Sequence, residues 1–275
     1  MAVRPALILL LLTPLALRAA PLPTVASINL CTDQLVLTLA DPAQILSVSW
    51  LAADTEESML AEAAQAFPRN YGAAEEIIAL DPDVVVAGSF TNAYTRRLLR
   101  ELGYKVVDVE PAESIADIER NLDLVGKALG RGASAAEAIA GLRATADAIA
   151  ERRPGRPPRA IVLRPGGFTV GAGSLASELL TLAGIVNIAA AQGLDRWGSL
   201  SVEALLQSAP DLLILADYRR DEPSLANLVF VHPALAELGT RVATVGIESR
   251  YWACGLPQSL RSAEIIQARL RASAQ

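Results

Sequence analysis

Twelve residues of this chain recur in a second copy, and no other feature constrains the fold as much. Glu75-Glu76-Ile77-Ile78-Ala79-Leu80-Asp81-Pro82-Asp83-Val84-Val85-Val86 matches Glu203-Ala204-Leu205-Leu206-Gln207-Ser208-Ala209-Pro210-Asp211-Leu212-Leu213-Ile214. In each copy Glu precedes Pro by seven positions, and Pro-Asp leads into an aliphatic run. An amphipathic stretch that stops at a proline and passes at once into aliphatic residues reads as helix, turn and buried strand. Helix–Pro-Asp–strand is a common α/β connection that can recur by chance. The glutamate in register as well argues for two similar units in tandem.

The rest of the chain fits two such units. Short aliphatic runs predict strands at 25–28, 45–48, 84–87 and 105–109, with helical patterns between them at 32–40, 59–66, 75–80 and 93–102. Asp41-Pro42 and Asp81-Pro82 mark helix ends, and Gly103 is a C-cap. From 114 to 153 the strand signal disappears, leaving helix formers with Gly126, Gly130 and Gly132 as soft points. Within this stretch, apolar positions of 135–152 recur at helical spacing. Pro154-Gly155-Arg156-Pro157-Pro158 then breaks the chain. Alternation resumes over 160–163, 174–183, 202–207, 212–215, 242–245 and 256–270. The 275 residues, 52% hydrophobic and 20% charged, suffice for a large core in one big domain or two ordinary ones. The expected organisation is an N-terminal α/β lobe over 21–132, a connecting helix over 133–153 and a C-terminal α/β lobe over 154–275.

Residues 1–20 read as a secretory signal peptide. Arg4 supplies the positive end, a short Leu/Ala/Ile run follows, and Ala19 or Ala20 precedes the cut. The run is too short for a membrane span and Pro14 interrupts it. Ile28-Asn29-Leu30 before Cys31 is not a lipobox. Removing the leader leaves 22 basic against 30 acidic residues, a net charge of −8 on an exported, periplasmic protein. No basic stretch could track a phosphate backbone, so nucleic acid is not an expected partner. A single His and two Cys exclude a His-rich or four-thiolate zinc site.

The leader, the two lobes, the long helix and the paired glutamates together resemble class III periplasmic binding proteins, which deliver vitamin B12, ferric siderophores or haem to ABC importers. The local stretches that carry the resemblance are "VASINLCTDQL", "AEEIIALDPDVVVAG", "RPGGFTVGAGSLASELLTLAGIVNI", "SVEALLQSAPDLLIL" and "ESRYWACGLPQSL". Their order and spacing cover essentially all of 24–271. The resemblance implies two Rossmann-like α/β lobes with parallel central sheets, joined by one long interdomain helix that resists large hinging. It also implies a monomer that carries a metal chelate as cargo, has no resident cofactor or metal, and meets the membrane only through an ABC permease with its ATPase. Matched motif to motif, Glu75 and Glu203 take the role of the glutamates that salt-bridge arginines of the permease. A carboxylate in a helix's first turn is in any case held by the macrodipole and presents charge-assisted acceptors. Simple stabilisation of the helix start is the plainer reading of each.

A cleft between the lobes is expected where the loops after the strands converge. With aromatics at only 4%, their positions stand out. Trp50, Tyr71 and Phe90 fall in loops of the first lobe, and Phe168, Trp197, Tyr251 and Trp252 in those of the second. Aromatic faces suit a flat corrin or catechol chelate, although a Trp near a strand end often packs into its own lobe. Arg164 and Arg250 also fall in these loops. In the family cleft arginines neutralise anionic siderophores, so the pair favours a ferric chelate slightly over a corrinoid, while solvated surface Arg is the commoner explanation. Haem is less favoured, because only a tyrosine such as Tyr71, Tyr94 or Tyr251 could serve as its axial ligand. For Cys31 and Cys254, two separate buried thiols are the first expectation, a disulfide across the lobes the second and a soft contact to the ligand the third.

An enzyme is the competing class. Gly171-Ala172-Gly173-Ser174-Leu175-Ala176 fits GxGxxA before a helix, with Asp195 at roughly the place of a ribose-binding acid. The strand expected before it ends near Leu163, too early for the tight turn. His232, in His-Pro, reads as a cap or surface residue, and no GxSxG surrounds a serine. A direct metal-ion binder would want several His.

Overall fold

Two parallel sheets organise the computed structural model, which describes residues 21–217 and 224–273. The expected leader over 1–20 lies outside the described residues. The N-terminal lobe runs β1 (Val25–Ser27), α1 (Leu30–Leu39), β2 (Ile45–Ser49), α2 (Ala61–Ala64), β3 (Arg69–Asn70), α3 (Ala74–Leu80), β4 (Val84–Gly88), α4 (Ala93–Glu101) and β5 (Lys105–Val109). Its sheet has the order β3-β2-β1-β4-β5, with every pairing parallel. Helices α5 (Ile115–Ala128) and α6 (Gly132–Glu151) follow and pack against each other. The stretch expected to lack strands does lack them, and it divides at a turn where Gly130 has φ +68°.

The C-terminal lobe runs β6 (Arg159–Leu163), β7 (Phe168–Val170), α7 (Leu175–Leu182), β8 (Val186–Asn187), α8 (Ile188–Ala191), β9 (Trp197–Ser199), α9 (Val202–Gln207) and β10 (Leu212–Asp217). It ends with α10 (Pro233–Gly239), β11 (Ala243–Glu248), α11 (Arg250–Ala253) and α12 (Arg261–Ser273). The parallel order is β11-β10-β6-β8, and β7 and β9 form a separate antiparallel ribbon. The central strands are buried along most or all of their length, as in β4 and β6. Burial on both faces explains why they read as unbroken aliphatic runs rather than alternating ones.

The two lobes are the same unit twice. β2-β1-β4-β5 in the first sheet corresponds to β8-β6-β10-β11 in the second, and the repeated motif supplies α3–β4 and α9–β10. Asp83 Oδ2 accepts from Thr24 N at 2.8 Å, and Asp211 Oδ2 accepts from Arg159 N at 2.8 Å. Each repeat aspartate thus pins the start of the neighbouring strand. Asp81 and Ala209, at the matching position before each Pro, have φ of 46° and 44°, the positive-φ non-glycine residues among the described residues.

The short strands β3, β7, β8 and β9 have no counterpart in the sequence reading, because two or three residues show no period. The 59–66 helix shortens to α2. The 256–270 segment divides into a 3₁₀ turn, Pro257–Leu260, and α12.

Candidate functional site

The carboxyl ends of both sheets open onto one cleft of about 510 Å³. Phe90, just past β4, and the 110–113 segment after β5 line one side. Arg164 after β6, the start of α7, Trp197 and Trp252 line the other. A narrower recess of about 230 Å³ shares Phe90, Glu110, Pro111, Ala112 and Ala253 with the cleft and reaches Cys31 and Cys254.

Those two cysteines are bonded to each other, with an S–S distance of 2.10 Å and Cα atoms 5.2 Å apart. This corrects the expectation of two separate thiols. Cys31 sits in the first turn of α1, just beyond β1, while Cys254 follows α11 at the end of β11. The facing carboxyl ends of the two sheets bring them within bridging distance, which their separation of 223 residues gave no way to foresee.

The C-terminal wall is built by the ribbon. Pairing of β7 with β9 sets Phe168 opposite Ser199 and Val170 opposite Trp197. Phe168 and Trp197 are therefore strand residues, not the loop residues expected, yet both stay exposed, at 52% and 57%. The Arg164 guanidinium stacks over the Trp197 ring at 5.3 Å. Arg164, Pro165, Phe168 and Trp197 together line a further hollow of about 400 Å³. Burial pulls the Arg164 guanidinium down from its ordinary pKa, and the charge of Glu57 on the other lobe opposes this. Arginine keeps its charge under such shifts. Among the described residues Arg164 has no ion-pair partner within 4.0 Å, unlike Arg196 and Arg250. Opposite it, Phe90 is 88% exposed.

The remaining expected residues divide. Trp50 and Tyr71 stack on each other at 6.4 Å beyond the carboxyl ends of β2 and β3, without lining the cleft. Trp252 borders the cleft but is buried at 7% exposure in α11, within an apolar cluster that draws residues from both lobes. Arg250 and Tyr251 lie in α11 rather than a loop and line a separate depression of about 600 Å³ with Met59 and Thr145. Arg250 is not a free cleft cation: Nη1 donates to Thr55 O at 3.0 Å and Nη2 pairs with Glu248 at 2.5 Å.

Charged residues that the sequence reading passed over complete the cleft. Arg196 Nη1 reaches Glu113 Oε1 of the other lobe at 2.7 Å, and Arg120 pairs with Asp117. With Glu110 and Arg164, the described lining carries three carboxylates and three guanidiniums. An arginine just before a predicted cleft aromatic, as at Arg196-Trp197, was the available signal.

The first three amides of the glycine motif are spent on the lobe's own backbone. The amides of Gly171, Ala172 and Gly173 donate to the carbonyls of Arg196, Leu194 and Asp195 at 2.7, 2.9 and 2.5 Å. None is left for a pyrophosphate. A Cβ on Gly171 would come within 2.3 Å of Leu194 O, so glycine is required by the close backbone approach. A strand, β7, does precede the motif directly, but it belongs to the ribbon and not to the parallel sheet.

Glu75 and Glu203 occupy the same position, second in α3 and in α9, and both are exposed. Glu76 Oε2 folds back to accept from the amides of Tyr71 and Ala73 at 2.8 and 3.2 Å, leaving Glu75 out of the cap. Glu203 is held below its ordinary pKa by its own backbone amide and the Ser201 hydroxyl, with a smaller contribution from His232. His232 caps α10, Nδ1 accepting from Ala234 N at 3.2 Å.

Paired α/β lobes facing each other over an aromatic- and arginine-lined cleft, joined through a helical segment, define a two-lobed ligand-binding protein. The chain belongs to the periplasmic binding protein family, whose model matches residues 25–238. Its fold is similar to that of the periplasmic heme-binding protein RhuT from Roseiflexus sp. RS-1, at a TM-score of 0.77 and 20% identity over 92% of this chain and 99% of that one. The periplasmic heme-binding protein HutB of Vibrio cholerae gives 0.76 at 19% identity over 90% and 98%. The vitamin B12-binding protein BtuF of the same organism gives 0.66 at 18% over 93% and 99%. In sequence, the chain is 30% identical over 145 residues to the cobalamin-binding protein of Halobacterium salinarum. That match spans 51% of this chain and 39% of the relative, about two fifths of its length.

Proposed function

We propose that this protein is the periplasmic substrate-binding component of an ABC importer, capturing a metal chelate between its lobes and delivering it to the permease. The observation that carries this reading is the cleft itself: Phe90 on one wall faces Arg164 and Trp197 on the other, with Phe168 in the adjoining hollow that shares those two residues. Exposed aromatic faces and a stacked, partly desolvated guanidinium suit a large flat ligand. The names of the relatives, which bind cobalamin, vitamin B12 or heme, support a chelate of that shape.

The balance of charge bears on which chelate. With Arg250 engaged at Thr55 and Glu248, the two-arginine argument for a ferric siderophore loses one member. A described lining of three acids and three bases suits a corrinoid better than a highly anionic ferric chelate. Export through the leader of residues 1–20 agrees with the Cys31–Cys254 disulfide, since such bonds persist in oxidising compartments. Glu75 and Glu203 are the permease contacts in this reading, and binding is non-covalent with no reaction.

The test is a tryptophan-fluorescence titration of residues 21–275 against cyanocobalamin, a panel of ferric siderophores and haemin. Saturable quenching by cyanocobalamin, reduced on Trp197→Phe, is the expected result. Quenching by a ferric siderophore alone would move the cargo to that class. Absence of saturation across the panel would overturn the chelate reading.

A further inference from the structure

Among the described residues, polar and covalent contacts tie the lobes together on both flanks of the cleft and at its floor. On one flank Arg250 grips the Thr55 carbonyl at 3.0 Å, and on the other Arg196 pairs with Glu113 at 2.7 Å. Between them Cys31–Cys254 joins the lobes covalently and walls the recess that opens into the cleft. The ion pair is a weak tie: the Arg196 and Glu113 side chains are 58% and 38% exposed, and a pair so open to water is easily exchanged for solvent. A covalent bond cannot be exchanged in that way. Packing beside it is equally close, since a Cβ on Gly255 would come within 2.2 Å of the Ala112 Cβ on the other lobe.

We propose that the Cys31–Cys254 disulfide is a bolt that holds the cleft at one width in the ligand-free protein. Ligand then enters between the outer flanks of a preformed site rather than by the lobes parting at their floor. The flanks, held by Arg250 and by Arg196–Glu113, are the parts that give way. Breaking the bolt removes the covalent tie and leaves the hydrogen bond, the ion pair and the apolar packing around Gly255 as the restraints on wider openings, so the distribution of openings broadens. This rests on the two-lobed binding fold and not on the identity of the chelate.

The experiment needs no ligand. Spin labels are placed through p-acetylphenylalanine at Ala63 on α2 and Ala236 on α10, exposed positions on opposite lobes. The interlobe distance is then measured by double electron–electron resonance. The oxidised protein is expected to give one narrow peak. Treatment with tris(carboxyethyl)phosphine, or Cys31→Ser with Cys254→Ser, is expected to abolish that peak in favour of a broad distribution reaching longer distances. If the double variant does not fold, the reduced wild-type chain with unchanged circular dichroism decides the matter. An unchanged narrow peak after reduction would overturn the proposal, while a failed chelate titration would leave it standing.

Discussion

Asp33 is fully buried in the first turns of α1, with Oδ1 accepting from Ser49 N at 3.0 Å and Oδ2 from the Ser49 hydroxyl at 2.5 Å. Burial outweighs these bonds and that of Ser27, raising its pKa from 3.8 to about 6. A carboxyl whose folded pKa is raised binds its proton more tightly when folded. The stability it contributes is complete below about 3.8 and is lost as pH rises through about 6. Near-complete loss at neutral pH corresponds to about 3 kcal/mol. Asp33→Asn cannot ionise but can still accept from Ser49 N. Urea melts should therefore show wild-type stability falling relative to Asp33→Asn by up to about 3 kcal/mol between acid and neutral pH. A constant difference would mean that Asp33 titrates normally. Nothing in the stretch "VASINLCTDQL" signals this, because Asp in a helix's first turn is usually a solvated cap. Its neighbour Ser49 arrives from another strand.

At the scale of elements, the repeat was legible and its strain was not. The seven-residue Glu-to-Pro spacing identified α3–β4 and α9–β10 from sequence. Only the backbone reveals that each helix ends in a left-handed residue, Asp81 in one lobe and Ala209 in the other. Left-handed φ costs a residue bearing a Cβ roughly 1 kcal/mol relative to glycine. Asp81 has a compensating contact, Oδ1 accepting from Tyr104 OH at 3.2 Å, whereas an alanine side chain has no polar atom to compensate with. Ala209→Gly should accordingly raise stability by about 0.5 kcal/mol after the added freedom of the unfolded chain is subtracted. Asp81→Gly should gain nothing. Paired chemical denaturation curves check both, and equal shifts would contradict the distinction. The ribbon of β7 and β9 marks the other limit of legibility. Its strands are three residues each, and their pairing joins segments about 30 residues apart, so no local period announces it.

Across the whole molecule, the disulfide closes a loop of 223 residues. In the chain-entropy description, a closure of that length stabilises the folded state by roughly 5 kcal/mol, against about 0–1 for an exposed ion pair such as Arg196–Glu113. The same two-lobed arrangement underlies the proposed permease contacts, Glu75 and Glu203. They occupy equivalent places in two copies of one unit, so a partner with two similar arginine sites can read both at once. Glu75→Arg combined with Glu203→Arg should abolish import in a reconstituted transporter while leaving chelate affinity within about two-fold, since neither residue lines the cleft. Loss of affinity in that variant would remove the docking assignment.

Hydrophobic run length, prolines and the repeated glutamate were enough to specify two parallel α/β units, because a strand buried on both faces and a helix with one apolar face leave distinct local patterns. Of the aromatic positions singled out, Phe90 lies where such a pattern ends, whereas Trp197 stands on a short strand that no local pattern announced. Contacts between the lobes were not. The Cys31–Cys254 bond, the Arg196–Glu113 pair, the diversion of Arg250 to Thr55 and the burial of Trp252 all depend on how two separately patterned units face each other. Side-chain partners so far apart in sequence leave no periodic trace, so only the packed molecule decides which arginines are paired and which cysteines meet.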